Sequence, residues 1–525
     1  MTVTKTLAVA ALIAAAGLAL SACSGTAATT SSTPGSSSTP TGTINTELWY
    51  APTIFDPSQA SADADTDVAR LGFDTLLRKG DKTGYIGGLA TSWKTVSNTE
   101  YTFDIRDDAT CSDGTKITPS VVAASLKYLA TSDKAAAQTN KTAVFGSGTP
   151  AFAADDSAGK LTIRLSTPYS ELLNGLTNAT SGIICPAGLK DLDGLAKGTV
   201  AGAWSGPYTL TNFKAGVSAS YTFRKGYDAW PKWDDVTGTP AKTINITVST
   251  DSNTSANLLT SGGIDITRFY DSNALRFTKN KAYSYVTMPS SAYTLILNEN
   301  KGGMFAGNQE LRTAVAQAIK PAGFNSAGLD GLGTALTSVD PSSVSCTIDG
   351  SSILPKVDVT AAKKELTGKT IRLLAMSNWD PAIDYLATAL RAAGATVNVS
   401  TPDASIWQTE MRTEPEKWDI ALNATTVAAP LSDTIATYVG PTAADGGRSI
   451  GGADNAEGYA ALQSALAASD SATQCADFKT AQKTILSRVD MVPLITDTHY
   501  IIARKGFAST VFSGYWDISS MRITD

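Results

Sequence analysis

The chain contains one histidine, His499, and an aspartate, Asp497, stands two residues before it. A histidine oriented by a carboxylate is the base that activates a serine nucleophile in many hydrolases. The serine must lie on a strained elbow of the Gly-x-Ser-x-Gly kind, and we assign no such elbow here. A single histidine also disfavours a multi-histidine metal site. We therefore interpret Asp497 and His499 as a polar pair at the end of a strand.

Three aspartates, Asp63, Asp65 and Asp67, have the alternating spacing of a calcium-binding loop. That loop also needs a glycine at its sixth position and a carboxylate at its twelfth. Asp74 occupies the twelfth position, but Val68 occupies the sixth, so the sharp bend is missing. The pattern favours a solvated acidic surface, and we predict neither a bound metal nor a cofactor.

The amino terminus has the features of an export signal. Lys5 precedes an apolar run over residues 7–20, which is followed by the small residues of Leu20-Ser21-Ala22-Cys23. The tetrapeptide resembles the lipobox of bacterial lipoproteins, in which the cysteine is lipidated. We predict a lipoprotein signal peptide over 1–22. Because residues 24–42 are almost entirely Ser, Thr, Ala, Pro and Gly, residues 23–43 are predicted to be a lipidated cysteine and a flexible linker.

Four further cysteines remain: Cys111, Cys185, Cys346 and Cys475. None has CxxC spacing, which argues against a zinc or redox site. An exported chain can form disulfides, and four cysteines permit three pairings.

The composition is that of a globular protein. The chain has 525 residues, of which 42% are hydrophobic and 17% charged, and its formal net charge is −6. This length suits two to four domains. No basic patch dominates, so we predict no nucleic-acid partner.

The hydrophobic pattern predicts a mixed α and β architecture. Tyr101 to Arg106 alternates as a half-buried strand, Asp113-Gly114 is a turn, and Thr118-Pro119 opens a helix with an apolar stripe. Hairpins dominate the first part of the chain. The second part has a strand, helix and strand over 370–375, 381–393 and 396–400, which indicates parallel pairing.

The order of these segments resembles solute-binding protein family 5 of ABC importers, the peptide and nickel type, over nearly all of the chain after residue 44. The resemblance rests on Ile105-Arg106 to Ser125-Leu126, Gly206-Pro207-Tyr208, Arg224 to Trp230, Ser261 to Asp265, Leu297-Asn298 with Leu311 to Ile319, and Val492-Pro493-Leu494. Cys111 departs from the family by replacing an aromatic residue, and Lys320-Pro321 departs by replacing Asp-Arg.

The resemblance implies an α/β, two-lobe periplasmic-binding-protein-like fold of type II, in the large peptide-binding subclass, with mixed sheets. Lobe 1 is expected at 44–284, with an inserted hairpin-rich subdomain at about 76–200, and the chain returns to it over 495–525. Lobe 2 is expected at 285–494. Pairing within each lobe favours the disulfides Cys111–Cys185 and Cys346–Cys475.

The resemblance also implies a ligand in the cleft between the lobes, held by hinge closure. The ligand-binding residues we expect are Trp49, Tyr50, Phe55, Trp379, Trp407, Asn423, Thr425 and Asp433. Peptide-binding members carry an aspartate that pairs with the free amine of the ligand just after the strand that corresponds to 418–422. Here no acid precedes Asp433, which argues against strict recognition of a free amine.

We therefore predict a monomeric, lipid-anchored substrate-binding protein on the outer face of the cytoplasmic membrane. Its partners would be the transmembrane subunits of an ABC permease and a small solute, an oligopeptide or a similar amide-rich molecule. An exported, lipid-anchored hydrolase and a solute sensor without a transport role are the alternatives.

Overall fold

The computed structural model describes residues 40–80, 84–234, 236–427, 429–512 and 514–524. The predicted signal peptide, Cys23 and nearly all of the linker lie outside the described residues. None of the described helices is both long and apolar enough to cross a bilayer.

Two long strands, β12 (Tyr283–Leu297) and β17 (Met491–Arg504), divide the chain into parts. We call the described residues before β12, together with those after β17, the first half, and the residues between β12 and β17 the second half. The first half contains the strands β1 (Thr41–Leu48), β2 (Leu77–Lys79), β3 (Tyr85–Gly87), β4 (Ala90–Ser97), β5 (Glu100–Ile105), β6 (Pro150–Asp155), β7 (Lys160–Leu165), β8 (Tyr208–Lys214), β9 (Ser218–Phe223), β10 (Ala241–Val248) and β11 (Ile266–Phe269). Its helices are α1 (Asp63–Gly72), α2 (Pro119–Thr131), α3 (Ala135–Phe145), α4 (Leu172–Gly175), α5 (Pro186–Lys190), α6 (Leu192–Ala196), α7 (Ser252–Ser261) and α8 (Leu275–Thr278).

The second half lies between β12 (Tyr283–Leu297) and β17 (Met491–Arg504). It contains the strands β13 (Thr334–Ala335), β14 (Thr370–Leu374), β15 (Thr396–Ser400) and β16 (Ile420–Thr426). Its helices are α9 (Gln309–Ala318), α10 (Pro321–Gly328), α11 (Val359–Leu366), α12 (Asp380–Ala392), α13 (Ala404–Thr413), α14 (Leu431–Ala436), α15 (Ala456–Ala467) and α16 (Ser471–Arg488). Four short strands then end the chain in the first half, β18 (Phe507–Ala508), β19 (Val511–Phe512), β20 (Tyr515–Trp516) and β21 (Arg522–Ile523).

One mixed sheet runs through both halves. Its strand order is β15-β14-β16-β12-β17-β11-β1-β10-β9-β8, and β13 pairs with β17 beside this path. β14 and β15 are parallel, as the sequence predicted, and β1 is parallel to both β10 and β11. A separate antiparallel sheet, β4-β5-β7-β6, forms the hairpin-rich region.

The apolar residues bury themselves separately in the two halves. Two clusters draw their buried residues only from positions 295–495, and two others draw theirs from 44–288 and 501–521. The strands β12 and β17 connect these regions, and their pairing shifts register between Pro289 and Ala292. At this shift, the backbone N–H groups of Ser290 and Ser291 donate to Oδ1 of Asp497 at 3.1 and 2.6 Å.

The predicted strand–turn–helix segment over 101–129 is confirmed, as β5 and α2. Val122, Leu126 and Leu129 are buried. Thr118 occupies the cap position, but its side chain does not cap the helix. Instead, the carboxylate of Asp156 accepts from the N–H of Ser120 at 2.8 Å.

Two predictions about acidic and polar residues were wrong. Asp65 and Asp67 are buried, so the three aspartates are not a solvated surface. Asp65 is buried because its carboxylate accepts from the N–H of Thr53 at 2.7 Å, which ties the loop after β1 to α1. Asp497 and His499 lie within β17 rather than at a strand end.

Two further predictions concern Pro321 and the cysteines. Pro321 follows the end of α9, as expected, and also starts α10, because proline is favoured at the first helical position. The structure joins Cys111 to Cys185 within the first half and Cys346 to Cys475 within the second.

Candidate functional site

The two halves contact each other away from the strands that connect them. The Ser432 hydroxyl, on α14, donates to Oε2 of Glu171, which stands directly before α4. The N–H and hydroxyl of Ser170 donate to the carbonyls of Leu466 and Ala465 at the end of α15, at 3.1 and 2.9 Å. The halves are therefore closed on one another in this structure.

A cavity of about 500 Å³ lies beside this contact. This interface cavity has the volume of a small-molecule site. The first half contributes residues between Lys79 and Asn174 to its wall, and the second half contributes residues between Ser343 and Phe478. The Cys346–Cys475 disulfide forms part of the second-half wall.

Glu171 is the buried acid of the interface cavity. It is 7% exposed, and burial raises the pKa of its carboxyl to about 7, while the hydrogen bond from Ser432 opposes this shift. On the same wall, Lys79 donates from Nζ to Oδ1 of Asn174 at 2.5 Å, and burial lowers the pKa of its ammonium group. The cavity therefore contains one acid and one base whose charges are both disfavoured by burial.

A second buried acid, Asp340, lies in the second half. Among the described residues, neither of its carboxylate oxygens has a hydrogen-bond partner. Burial raises the pKa of Asp340 to about 8, because a charged carboxylate is disfavoured away from water.

A second cavity, of about 460 Å³, lies in the first half. We call it the aromatic cavity. It is lined by Leu48, Trp49, Tyr50, Ala62, Asp63, Ala64, Arg268 and Tyr270. The rings of Trp49 and Tyr270 meet edge to face with centroids 5.0 Å apart.

The predicted aromatic residues of the first half lie in two different environments. Trp49 and Tyr50 line the aromatic cavity. Phe55 is buried in the first-half core, where its ring packs edge to face against Phe213 with centroids 4.9 Å apart. Their roles in ligand binding stay predictions.

Trp379 and Trp407 pack against each other in the second half, with centroids 5.4 Å apart. Trp407 is buried on α13, where it joins an apolar cluster, and Trp379 is the residue before α12. Neither lines the two cavities described above. The structure therefore does not bring these two tryptophans together with Trp49 and Tyr50.

The predicted polar residues lie on and after β16. Asn423 is buried, and its side-chain amide donates to the Thr425 hydroxyl at 3.1 Å. Asp433, on α14, accepts from Nη1 of Arg448 at 2.8 Å. The carboxylate that we considered for a ligand amine thus already has a cationic partner.

Glu171, Arg268 and Tyr270 were missed by the sequence analysis. Arg268 and Tyr270 could have been found, because their strand is parallel to β1 and such strands end at the same sheet edge. Glu171 had no such signal, since its partner Ser432 is 261 residues away.

The segment Gly447-Arg448-Ser449-Ile450-Gly451 does have the spacing of a nucleophile elbow, contrary to our assignment. In the structure it lies in an irregular segment between α14 and α15, not at a turn from a strand to a helix. Ser449 is buried there. Among the described residues, no group of histidine, cysteine, aspartate and glutamate could hold a metal ion.

A family model and a curated relative both match most of the chain, and both describe solute-binding proteins. The family model for bacterial extracellular solute-binding proteins, family 5 Middle, matches residues 84–445. The probable D,D-dipeptide-binding periplasmic protein DdpA of Escherichia coli (strain K12) is 25% identical over 489 residues, which cover 88% of this chain and 90% of the relative.

Solved structures show the same fold. A substrate binding protein from Microbacterium hydrocarbonoxydans, complexed with 4-hydroxybenzoate hydrazide, is 34% identical, with a TM-score of 0.76, over 92% of this chain and 100% of that chain. NikA from Brucella suis, in complex with Fe(III)-EDTA, is 20% identical with a TM-score of 0.76, over 92% of this chain and 99% of that chain. The latter likeness concerns the fold alone.

Proposed function

The chain belongs to family 5 of the bacterial extracellular solute-binding proteins, and from this premise we propose that it is a lipid-anchored receptor that captures its solute between two closing lobes. Members of this family are the extracytoplasmic substrate-binding components of ABC importers of the peptide or nickel type. The finer proposals are the anchor at Cys23, the outer face of the cytoplasmic membrane, a monomeric state, and delivery to a permease.

The proposed lobes are 44–284 with 495–525, and 285–494. The separate apolar cores and the two connecting strands support this division. The register shift at Ser290 and Ser291 supports a hinge there, since interrupted pairing leaves fewer ladder hydrogen bonds to resist bending.

The observation that carries the proposal is the interface cavity with the Ser432–Glu171 contact beside it. A solute enclosed there would touch both halves only when they are closed. It would bind the closed form better than the open form, and would shift the population toward closure. This mechanism requires no covalent chemistry.

The solute that we propose is an oligopeptide or a similar amide-rich molecule. Two relatives support this class: the E. coli relative is named for D,D-dipeptides, and the Microbacterium protein was solved with an acyl hydrazide. Both ligand types offer amide-like N–H and C=O groups to polar groups in a cleft.

A melting screen of the purified protein tests the proposal. The panel contains free dipeptides, longer peptides, N-acetylated peptides, oligosaccharides and 4-hydroxybenzoate hydrazide, and calorimetry follows on each hit. A bound solute at a hundredfold excess over its dissociation constant stabilises the fold by about 2.7 kcal/mol. Native mass spectrometry of the purified protein would identify a ligand retained from the cell. Turnover of any panel member, with no binding at equilibrium, would favour the hydrolase alternative.

A further inference from the structure

The aromatic cavity forms where two parallel strands end side by side. β1 leads directly into Trp49 and Tyr50, and β11 leads through Arg268 into Tyr270. Thr46 of β1 pairs with Ile266 of β11, so both strands end at the same sheet edge. Crevices outside the carboxyl ends of strands are frequent ligand sites in α/β sheets.

The ring of Tyr270 contacts three neighbouring side chains of the first half and of β17. His499 packs edge to face on Tyr270 with centroids 4.2 Å apart, and the Arg268 guanidinium lies 5.1 Å from the centre of the same ring. Trp49 also packs edge to face on Tyr270, and both residues line the cavity. Tyr50 is 62% exposed, so its ring is free to contact a ligand that enters the cavity.

The charge of the cavity is nearly balanced. Nη2 of Arg268 lies 3.7 Å from a carboxylate oxygen of both Asp63 and Asp67. Burial raises the pKa of Asp67 to about 7, so this acid only partly offsets the arginine at neutral pH. Asp63 is exposed and adds its negative charge to the wall of the cavity. An anion would meet an arginine that is already engaged, together with the negative charge of Asp63.

We propose that the aromatic cavity is a subsite for an uncharged aromatic ring of the solute, stacked against Trp49 and covered by Tyr50. This inference rests on the proposed function and names part of its substrate class: solutes with an uncharged aromatic end are preferred over aliphatic solutes of the same shape and over aromatic anions. Aromatic pairs gain free energy beyond the area that they bury, which gives the site its selectivity.

Benzamide and two related probes test the subsite. Cyclohexanecarboxamide differs from benzamide in lacking the aromatic ring, and benzoate differs from it in being an anion. Each is titrated into the purified full chain, with tryptophan fluorescence and calorimetry as readouts. We expect benzamide to bind about two- to tenfold more tightly than either of the other probes. Equal affinity for benzamide and cyclohexanecarboxamide, or no benzamide binding, would overturn the inference.

Substitutions in the wall of the aromatic cavity test whether benzamide binds there. Trp49→Ala and Tyr50→Ala should each weaken benzamide by about tenfold or more, and Trp49→Phe should keep the binding but lose most of the fluorescence change. Tyr50 is exposed, so its replacement leaves the fold intact. Trp93→Phe, on β4 outside this cavity, is the matched control and should keep both readouts.

The two proposals fail differently. If peptides or other solutes still raise the melting temperature of the wild-type protein, but Trp49→Ala and Tyr50→Ala leave benzamide binding unchanged, the subsite is refuted and the binding function stands. If no solute of any class binds the wild-type protein, the binding function itself is overturned, and the subsite with it.

Discussion

Ser432 of the second half donates a hydrogen bond to the buried carboxyl group of Glu171 in the first half. We expect an open form to lack this bond and to expose Glu171 to water. The same contact therefore stabilises the closed form and makes it depend on the protonation of one group. This dependence gives a prediction about pH.

Solute affinity should fall as the pH rises. Burial in this closed structure raises the pKa of Glu171 from the ordinary 4.5 to about 7, so this form holds the proton more tightly than an open form with a solvated carboxyl would. Closure is therefore favoured at low pH and loses that advantage as the pH rises through 7. Calorimetry with a solute from the melting screen should show at least about tenfold weaker binding at pH 8 than at pH 5.

Glu171→Gln should remove most of this dependence, because the amide oxygen still accepts from Ser432 but the group no longer titrates. Glu457→Gln, at an exposed position on α15, is the matched control and should keep the wild-type pH profile. Asp340, whose pKa burial raises to about 8, could also contribute to the pH profile. Because Asp340 is present in both variants, a difference between their pH profiles reports on Glu171. An unchanged profile in Glu171→Gln would show that this carboxyl does not control closure.

Both disulfides should be present in the exported protein. They close sequence separations of 74 and 129 residues, and the chain-entropy model assigns each about 4–5 kcal/mol of stability. Peptide mapping without reduction should recover Cys111 with Cys185 and Cys346 with Cys475. Each double Cys→Ser variant should unfold at a lower urea concentration. A Cys111–Cys475 peptide would contradict both the pairing and the proposed lobes.

The sequence predicted the elements with strong local signals. The segment over 101–129 formed as expected, because its alternation, its Asp-Gly turn and its proline each favour the same structure. The three aspartates after Ser61 were misread, because their spacing does not reveal that Asp65 accepts hydrogen bonds from the preceding loop.

The candidate site was less predictable than the fold. Trp49 and Tyr50 follow a strand whose end could be located, and they do line a cavity. Trp407 could not be assigned from its sequence, because a tryptophan on an amphipathic helix has the same pattern in a core as at a surface. Glu171 and Ser432 meet only through the packing of the two halves, which the local sequence does not encode.

Replacing Cys23 should release the protein from the membrane. The prediction follows from the Leu-Ser-Ala-Cys sequence at positions 20–23, since lipid attached at this cysteine would be the anchor. In Cys23→Ala the protein should appear in the medium or remain unprocessed, as seen by cell fractionation and immunoblotting. Cys111→Ser, which removes a cysteine of the folded body, is the control. Detergent-extractable membrane association of the Cys23→Ala protein would exclude the lipid anchor.

Asp497 should stabilise the proposed hinge. Its carboxylate accepts from two backbone N–H groups where β12 and β17 shift register. Asp497→Ala leaves both donors without this partner and should cost about 1–3 kcal/mol in the free energy of unfolding. Asp497→Asn keeps an acceptor oxygen and should cost less. Hydrogen exchange at Ser290 and Ser291 should quicken in Asp497→Ala, and unchanged protection would show that other contacts hold the hinge.

The protein should reject free dipeptides. No acid lies between Asn423 and Pro430, and the next carboxylate, Asp433, is paired with Arg448 at 2.8 Å. Burial raises the pKa of Glu171, the acid of the interface cavity, to about 7, which disfavours its charged form as a partner. A buried ammonium group without a partner costs several kcal/mol of binding free energy. This cost exceeds the binding free energy that burying the two short side chains of a dipeptide contributes. In the melting screen, free dipeptides should therefore give no shift, whereas their N-acetylated, amidated forms can bind through neutral groups.

Arg448→Ala supplies the decisive variant, because it removes the cationic partner of Asp433 and leaves the carboxylate available to a ligand amine. The variant should gain binding of free dipeptides, and Arg448→Ala with Asp433→Asn should lose it again. Arg412→Ala, which removes a nearby cation that forms no ion pair with Asp433, is the matched control and should stay unresponsive. Micromolar binding of a free dipeptide to the wild-type protein, abolished by acetylation of its amino group, would refute the prediction. In that case Asp433→Asn and Glu171→Gln would identify which carboxyl group receives the ammonium.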